Sequence, residues 1–157
     1  MAQALQQVPT SGLLYTESIW HLEARTHRKP RALEAIKKVD NDPILFVTIA
    51  RIFWGERRLE KAQNWFEKAI LLDSDIGDAW AWYYKFLMQH GTDVSSQKIH
   101  SCHNTNTNVQ EKRADVIAKM ILSEPRHGEV WQSVAKDPKN SGKSQEDILK
   151  MVVGKLA

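Results

Sequence analysis

One apolar pattern recurs four times along this chain, and its spacing limits the fold more than any other feature. Apolar or small residues stand at i, i+3, i+4 and i+7 in Tyr15-Ser18-Ile19-Leu22, Phe46-Ile49-Ala50-Phe53 and Trp80-Tyr83-Tyr84-Leu87, and again in Trp131-Val134-Ala135 before Pro138. That spacing puts each set on one side of an α-helix. The first three anchors lie 31 and 34 residues apart, and the last gap is 51, one ordinary stride plus about 17. A unit of this size cannot bury its apolar side alone, so successive units must stack on one another.

Two helices per stride of roughly 34 residues is the period of tetratricopeptide-like arrays. The expected fold is all-α: a right-handed α-α superhelix, or solenoid, of about four TPR or half-a-TPR helix pairs. The chain is then a single helical-repeat domain, 1–157, with repeats at about 12–42, 43–76, 77–126 and 127–157. Eight helices are expected, and no run alternates apolar and polar residues long enough to argue for a strand. Such arrays bind other proteins along extended surfaces.

The second repeat shows the local physics. Asp42 is a good N-cap, and Pro43 suits the first helical turn, where a missing N–H costs nothing. A second helix follows, with Leu59, Ala62, Phe66, Ala69 and Ile70 on one face. Ala50, Ala62 and Ala69 are small where helices approach closely, and Phe53 and Phe66 fill the space between them. Glu56 and Glu60, and Arg57 and Lys61, are like-charged i,i+4 pairs, so packing rather than surface charge must hold these helices. The other second helices are expected to face inward through Ala32, Ile36 and Val39, through Ala114, Ile117, Ala118 and Ile121, and through Ile148, Val152 and Leu156. Tyr84 stands where the second repeat has Ala50, an exchange typical of half-a-TPR repeats. Tyr15, Phe46, Trp80 and Trp131 complete the expected repeat core.

The chain holds six tryptophans, Trp20, Trp54, Trp65, Trp80, Trp82 and Trp131, which read as interhelix packing. A single cysteine rules out an intrachain disulfide framework. The start MAQALQQVP lacks the charged and apolar parts of a signal peptide, and no apolar run has the length of a membrane span, so a soluble intracellular chain is expected. The net charge of +3 is uneven: Arg25, Arg28, Lys29, Arg31, Lys37 and Lys38 crowd one stretch against Glu23 and Glu34. Arg25, Arg28, Lys29 and Arg31 are the candidate contacts for a partner or for RNA. The competing reading is a solvated turn whose cations complement a helix end.

Residues 93–110 are polar, rich in Ser, Thr and Asn, and read as a disordered surface insertion between the helices of the third repeat. His100, Cys102 and His103 fall here, but their spacing matches no structural zinc site, and no metal or cofactor is expected. The sequence has no phosphate-binding loop, nucleophile elbow, H-E-x-x-H or dinucleotide fingerprint, so no enzyme is expected.

The stretches SGLLYTESIWHLEA, RIFWGERRLEKAQNWFEKAI, SDIGDAWAWYYKFLMQHGT and EPRHGEVWQSVAKD resemble the C-terminal half-a-TPR repeats of the pre-mRNA-processing factor 6 family. The resemblance covers 1–92 and 111–157, and its D-x-G-D-A-W and E-P-R-H-G-E-x-W strings are far more specific than a generic repeat. It implies a non-catalytic scaffold of pre-mRNA splicing, located in the nucleus, that contacts splicing-factor proteins of the tri-snRNP. The alternatives are an RNA-binding module using the Arg25–Lys38 cluster, or a truncated product without retained function. Under the resemblance, MAQALQQVP looks like the second helix of a preceding repeat, so the chain reads as part of a longer frame. Ala4, Leu5 and Val8 would then seek a partner and favour self-association.

Overall fold

The computed structural model describes residues 2–98 and 105–156, and its extended regular elements there are all helices, with no strand. Nine α-helices are found among the described residues: α1 Ala2–Gln7, α2 Gly12–His21, α3 Arg28–Lys38, α4 Pro43–Gly55, α5 Leu59–Leu72, α6 Gly77–Lys98, α7 Thr105–Ser123, α8 Glu129–Ala135 and α9 Gln145–Lys155. They form helix pairs packed on their neighbours, as in a helical-repeat solenoid. The chain divides into two compact units, Met1–Leu72 and Asp73–Ala157. No helix of the described residues is long and apolar enough to cross a membrane.

In the first unit the helix starts are written in the sequence. Ser11 caps α2 through a hydroxyl that accepts from the Leu14 amide at 3.3 Å. The Asp42 carboxylate caps α4, accepting from the amides of Ile44 at 2.9 Å and Leu45 at 3.3 Å, with Pro43 in the first turn. Asn41 takes a left-handed backbone at φ 50, turning the chain from α3 into α4; asparagine tolerates this conformation better than most residues. Helices α2, α3 and α4 pack mutually, and α4 pairs with α5. Tyr15, Ile19, Ala32, Ala35, Leu45, Ile49, Ala50, Phe53, Ala62, Phe66 and Ala69 are buried there. Phe66 meets Trp54 edge-on with centroids 6.3 Å apart, and the half-buried Phe46 meets Trp65 the same way at 5.2 Å. A buried pair of hydroxyls, Thr16 and Thr48 with oxygens 3.0 Å apart, joins α2 to α4.

In the second unit α6 is the spine, contacting α7, α8 and α9. Trp80, Tyr83, Tyr84, Phe86 and Leu87 on α6 are buried, with Val116 and Met120 of α7, Trp131 and Val134 of α8, and Leu149, Val152 and Leu156 from the chain end. A 3-10 turn, Pro138–Asn140, separates α8 from α9; the buried Asn140 amide donates to the Val134 carbonyl at 2.9 Å, closing the end of α8. Lys85 on α6 reaches the carbonyl of Leu156, tying the chain end to the spine.

Four expectations change. The α7 face expected inward is not the buried one: Ala114, Ala118 and Ile121 are exposed and Ile117 half-buried, while Val116 and Met120 point into the core. Alanine and isoleucine on both sides of the helix made the periodicity ambiguous, and the large, unbranched Met120 wins the interior. Smaller slips of one residue favour Ala35 over Ile36 and Leu149 over Ile148, and Leu22 is exposed. The 93–110 segment is helical at 93–98 and 105–110, continuations of α6 and α7, because extending a nucleated helix costs far less than starting one. The helix count exceeds the eight expected for four repeats because α1 stands before them, a helix as MAQALQQVP was read; it lies on α2 with Ala4 and Leu5 half-buried, while Val8 is exposed. The candidate metal residues His100, Cys102 and His103 lie outside the described residues.

Candidate interaction site and inter-repeat joint

The basic stretch of the first unit lies at the turn between α2 and α3 and on α3 itself. Arg28 closes the end of α2: its Nε donates to the Glu23 carbonyl at 3.3 Å and its Nη2 to the Trp20 carbonyl at 3.1 Å. A cation at the carbonyl end of a helix also answers the helix dipole. Lys29 pairs with Glu56 at 2.7 Å and stands 5.1 Å from the centre of the Phe53 ring. Arg31 bonds Glu34 at 3.0 Å and lies 3.7 Å from Glu23, while Lys38 takes the other oxygen of Glu34 at 2.7 Å. The hydrogen bonds from Lys38 and Arg31 hold the Glu34 carboxyl below its ordinary range. Arg25 is exposed at the turn. Of the candidate contacts, then, Arg28, Lys29 and Arg31 are engaged within the unit, and the cluster functions locally as a clamp between α2, α3 and α4.

Arg51 joins this cluster from α4, a residue the sequence reading passed over. Its guanidinium lies 4.3 Å from the centre of the Trp20 ring, and that of Arg28 lies 4.9 Å from the same ring. Burial, with the nearby charge of Arg28, pushes Arg51 down to about 10, so it stays charged at neutral pH. Its signal was the stride itself: Arg51 stands 31 residues after Trp20, the same offset that separates Phe46 from Tyr15. Stacked repeats place equivalent positions beside each other. Between α3 and α4 an apolar cleft is lined by Lys29, Ala32, Leu33, Ile49, Ile52 and Phe53.

The second unit shows what the two specific strings do. Asp75 of D-x-G-D-A-W faces Arg126 and His127 of E-P-R-H-G-E-x-W. Its carboxylate accepts from the Arg126 amide at 2.8 Å and meets His127 Nδ1 at 2.5 Å. The Arg126 bond first, then His127, draws the Asp75 carboxyl below its ordinary value. The Gly77 amide donates to the His127 carbonyl at 2.7 Å, giving an isolated parallel bridge between Ile76 and His127. Gly77 and Gly128 are each required by close approach. A Cβ on Gly77 would stand 2.1 Å from the Trp131 ring; one on Gly128, at φ +118, would stand 2.7 Å from the Asp78 carboxyl carbon.

Asp78 completes the joint. The start of α8 has Gly128 at its cap position and therefore no side chain of its own to satisfy the first amides. Asp78, in the first turn of α6, supplies the missing acceptor, taking the amides of Trp131 at 2.7 Å and Val130 at 3.2 Å. Burial pushes its carboxyl up, against the pull of these backbone bonds. Trp80 anchors the same corner by donating to the Ser74 carbonyl at 2.8 Å. Among the candidate core residues, Tyr15, Ala50, Ala62, Phe66, Ala69, Trp80, Tyr84 and Trp131 are buried and Phe46 is half-buried. Among the described residues no group of three or more His, Cys, Asp or Glu side chains is gathered as a metal would require.

No protein-family model matches the chain. Individual proteins do. The chain is 40% identical over 133 residues to pre-mRNA-processing factor 6 of Homo sapiens, a match covering 85% of this chain and 12% of that protein. It is equally 40% identical over 133 residues to Protein STABILIZED1 of Arabidopsis thaliana, covering 85% of this chain and 11% of that protein. Pre-mRNA-splicing factor prp1 of Schizosaccharomyces pombe matches at 37% over 129 residues, 82% of this chain and 12% of the relative. The chain thus spans about an eighth of the length of these relatives.

Proposed function

This chain is a homologue of the pre-mRNA-processing factor 6 family over 85% of its length, and we propose that it acts in pre-mRNA splicing as a non-catalytic, protein-binding scaffold segment. The observation that carries this reading is the 40% identity over 133 residues to pre-mRNA-processing factor 6 and the 37% identity over 129 residues to pre-mRNA-splicing factor prp1. The geometry supports a binding rather than a chemical role. The specific strings of the chain are spent on joining α6 to α8, and the polar side chains around them are committed to backbone amides and carbonyls. Its place of action is the nucleus, and its partners are splicing-factor proteins of the tri-snRNP.

The RNA-contact alternative draws less support, because Arg28, Lys29 and Arg31 already hold carbonyls and carboxylates within their own unit. Sedimentation of the tagged chain in nuclear extract tests the proposal. Co-migration with tri-snRNP proteins that survives nuclease treatment is expected. Recovery only as free chain at the top of the gradient would overturn the scaffold reading. Co-migration abolished by nuclease and by joint neutralisation of Arg28 and Lys29 would transfer the function to RNA.

A further inference from the structure

The cleft between α3 and α4 joins an apolar floor to a cationic end, and that combination selects a partner. Each helix supplies about one turn of wall: Lys29, Ala32 and Leu33 from α3, and Ile49, Ile52 and Phe53 from α4. Ala32, Ile49 and Phe53 are buried, whereas Leu33 is 41% exposed and Ile52 half-buried, so the cleft opens along those two side chains. Where α3 starts and α4 finishes, the Nζ atoms of Lys29 and Lys61 stand 5.1 and 6.0 Å from the centre of the Phe53 ring. Glu56, in the adjoining turn, meets Lys29 at 2.7 Å and Arg58 at 3.5 Å.

The charge at this end exceeds what the unit neutralises. Segments 23–29 and 56–61 together carry six lysines and arginines against three glutamates, an excess equal to the net +3 of the whole chain. The Lys29–Glu56 contact brings the two segments together, and Lys29 and Arg58 share that one carboxylate. Arg57 and Lys61 are exposed and have no carboxylate partner among the described residues. Apolar surface beside such cations fits an acidic peptide better than a nucleic acid. RNA bases stack on open ring faces, but Phe53 is buried and the Trp20 ring carries the guanidiniums of Arg28 and Arg51 at 4.9 and 4.3 Å. Apart from Lys29, the cleft side chains are hydrocarbon, so none of them reads a base edge.

We propose that this cleft docks a short acidic segment of a protein partner. One aliphatic or aromatic side chain of the segment lies against Leu33 and Ile52, and neighbouring carboxylates reach Lys61, Arg57 and Arg58. The inference rests on the protein-binding reading above and names the chemistry of one partner segment. The footprint is a few side chains wide, so the contact is weak and transient. Its charged part weakens with salt, whereas its apolar part does not.

Fluorescence anisotropy on the full chain tests it with short labelled peptides, each holding one leucine or phenylalanine among aspartates and glutamates. Saturable binding is expected. Leu33→Gln and Lys61→Glu should each weaken it at least tenfold and leave the circular dichroism melt unchanged, since both side chains are exposed. Replacing the apolar residue of the peptide by serine should weaken it by a similar factor. Lys139→Glu, the same charge reversal at an exposed site in the second unit, should leave the affinity unchanged. Absence of saturable binding would overturn the inference, as would binding indifferent to Leu33→Gln and to the apolar residue of the peptide. Tighter binding of labelled oligouridylate, lost on the same substitutions, would overturn it in favour of RNA. Saturable peptide binding by a chain that sediments alone in nuclear extract would sustain the inference while removing the splicing role.

Discussion

Replacing Asp78 separates two roles of one carboxylate. It supplies the acceptor for the first amides of α8, yet burial makes its negative charge unfavourable, and the two effects oppose one another. Asp78→Ala removes the acceptor and strands the Val130 and Trp131 amides. Caps of this kind contribute about 0.5–2 kcal/mol, and a buried unsatisfied donor costs about 1–3 kcal/mol. Relief of the buried charge offsets part of this, leaving a net loss of about 2 kcal/mol. For a chain of this size that lowers Tm by about 4–8 °C. Asp78→Asn keeps an acceptor oxygen and discards the charge, so its loss should stay within about 0.5 kcal/mol. The pH dependence carries the sign. Because the folded carboxyl is raised above its ordinary value of 3.8, the folded state binds the proton more tightly than the unfolded state. Asp78 therefore favours folding below 3.8, and this contribution is lost as pH climbs through the raised value. Urea unfolding of wild type and Asp78→Asn between pH 3 and pH 7 isolates it: the stability of wild type relative to Asp78→Asn should fall as pH rises. If Asp78→Asn were as damaging as Asp78→Ala at neutral pH, or the difference rose with pH, the argument from burial would be wrong.

Other expectations are simpler. Phe66→Ala empties a fully buried site between α4 and α5 and should cost about 3–5 kcal/mol by chemical denaturation. Gly77→Ala drives a methyl into the Trp131 ring and should destabilise by about 1–3 kcal/mol, with a changed Trp131 fluorescence reporting the displacement. Met120→Ala should cost about 2–5 kcal/mol and Ile121→Ala less than about 1 kcal/mol; the reverse order would refute the orientation of α7. Lys29→Ala should cost no more than about 1 kcal/mol, since the Lys29–Glu56 pair is partly exposed, and the loss should shrink in high salt.

The sequence made much of this fold legible because its strongest signals are local. Asp42-Pro43 declares a helix start by capping chemistry alone, and the apolar spacing of Phe46, Ala50, Ala62 and Phe66 has one helical interpretation. Helix α7 failed that test: with Ala114, Val116, Ile117, Ala118, Met120 and Ile121 in sequence, several faces are apolar, and only the shape of α6 selects one. The polarity of residues 93–98 and 105–110 argued for a loop, but polarity is no measure of helicity, and the backbone there belongs to α6 and α7. The basic cluster was visible as charge, while its neutralisation was not, since Glu56 comes from the next repeat and Arg28 acts on carbonyls, which carry no mark in the sequence. Asp78 was similarly hidden, because its task is to cap a helix that begins about fifty residues later.

That distance in sequence orders the events of folding. Helices α6 and α7 follow one another in sequence and pack together, so their pairing is mostly local. The contacts of Asp75 and Asp78 span 51 to 53 residues, and they become cheap to make only after the packing of α6 on α7 has brought the two segments together. The joint is accordingly a late lock. It adds little to the speed of folding and acts chiefly on the unfolding rate, setting how long α8 and α9 stay seated once they have docked.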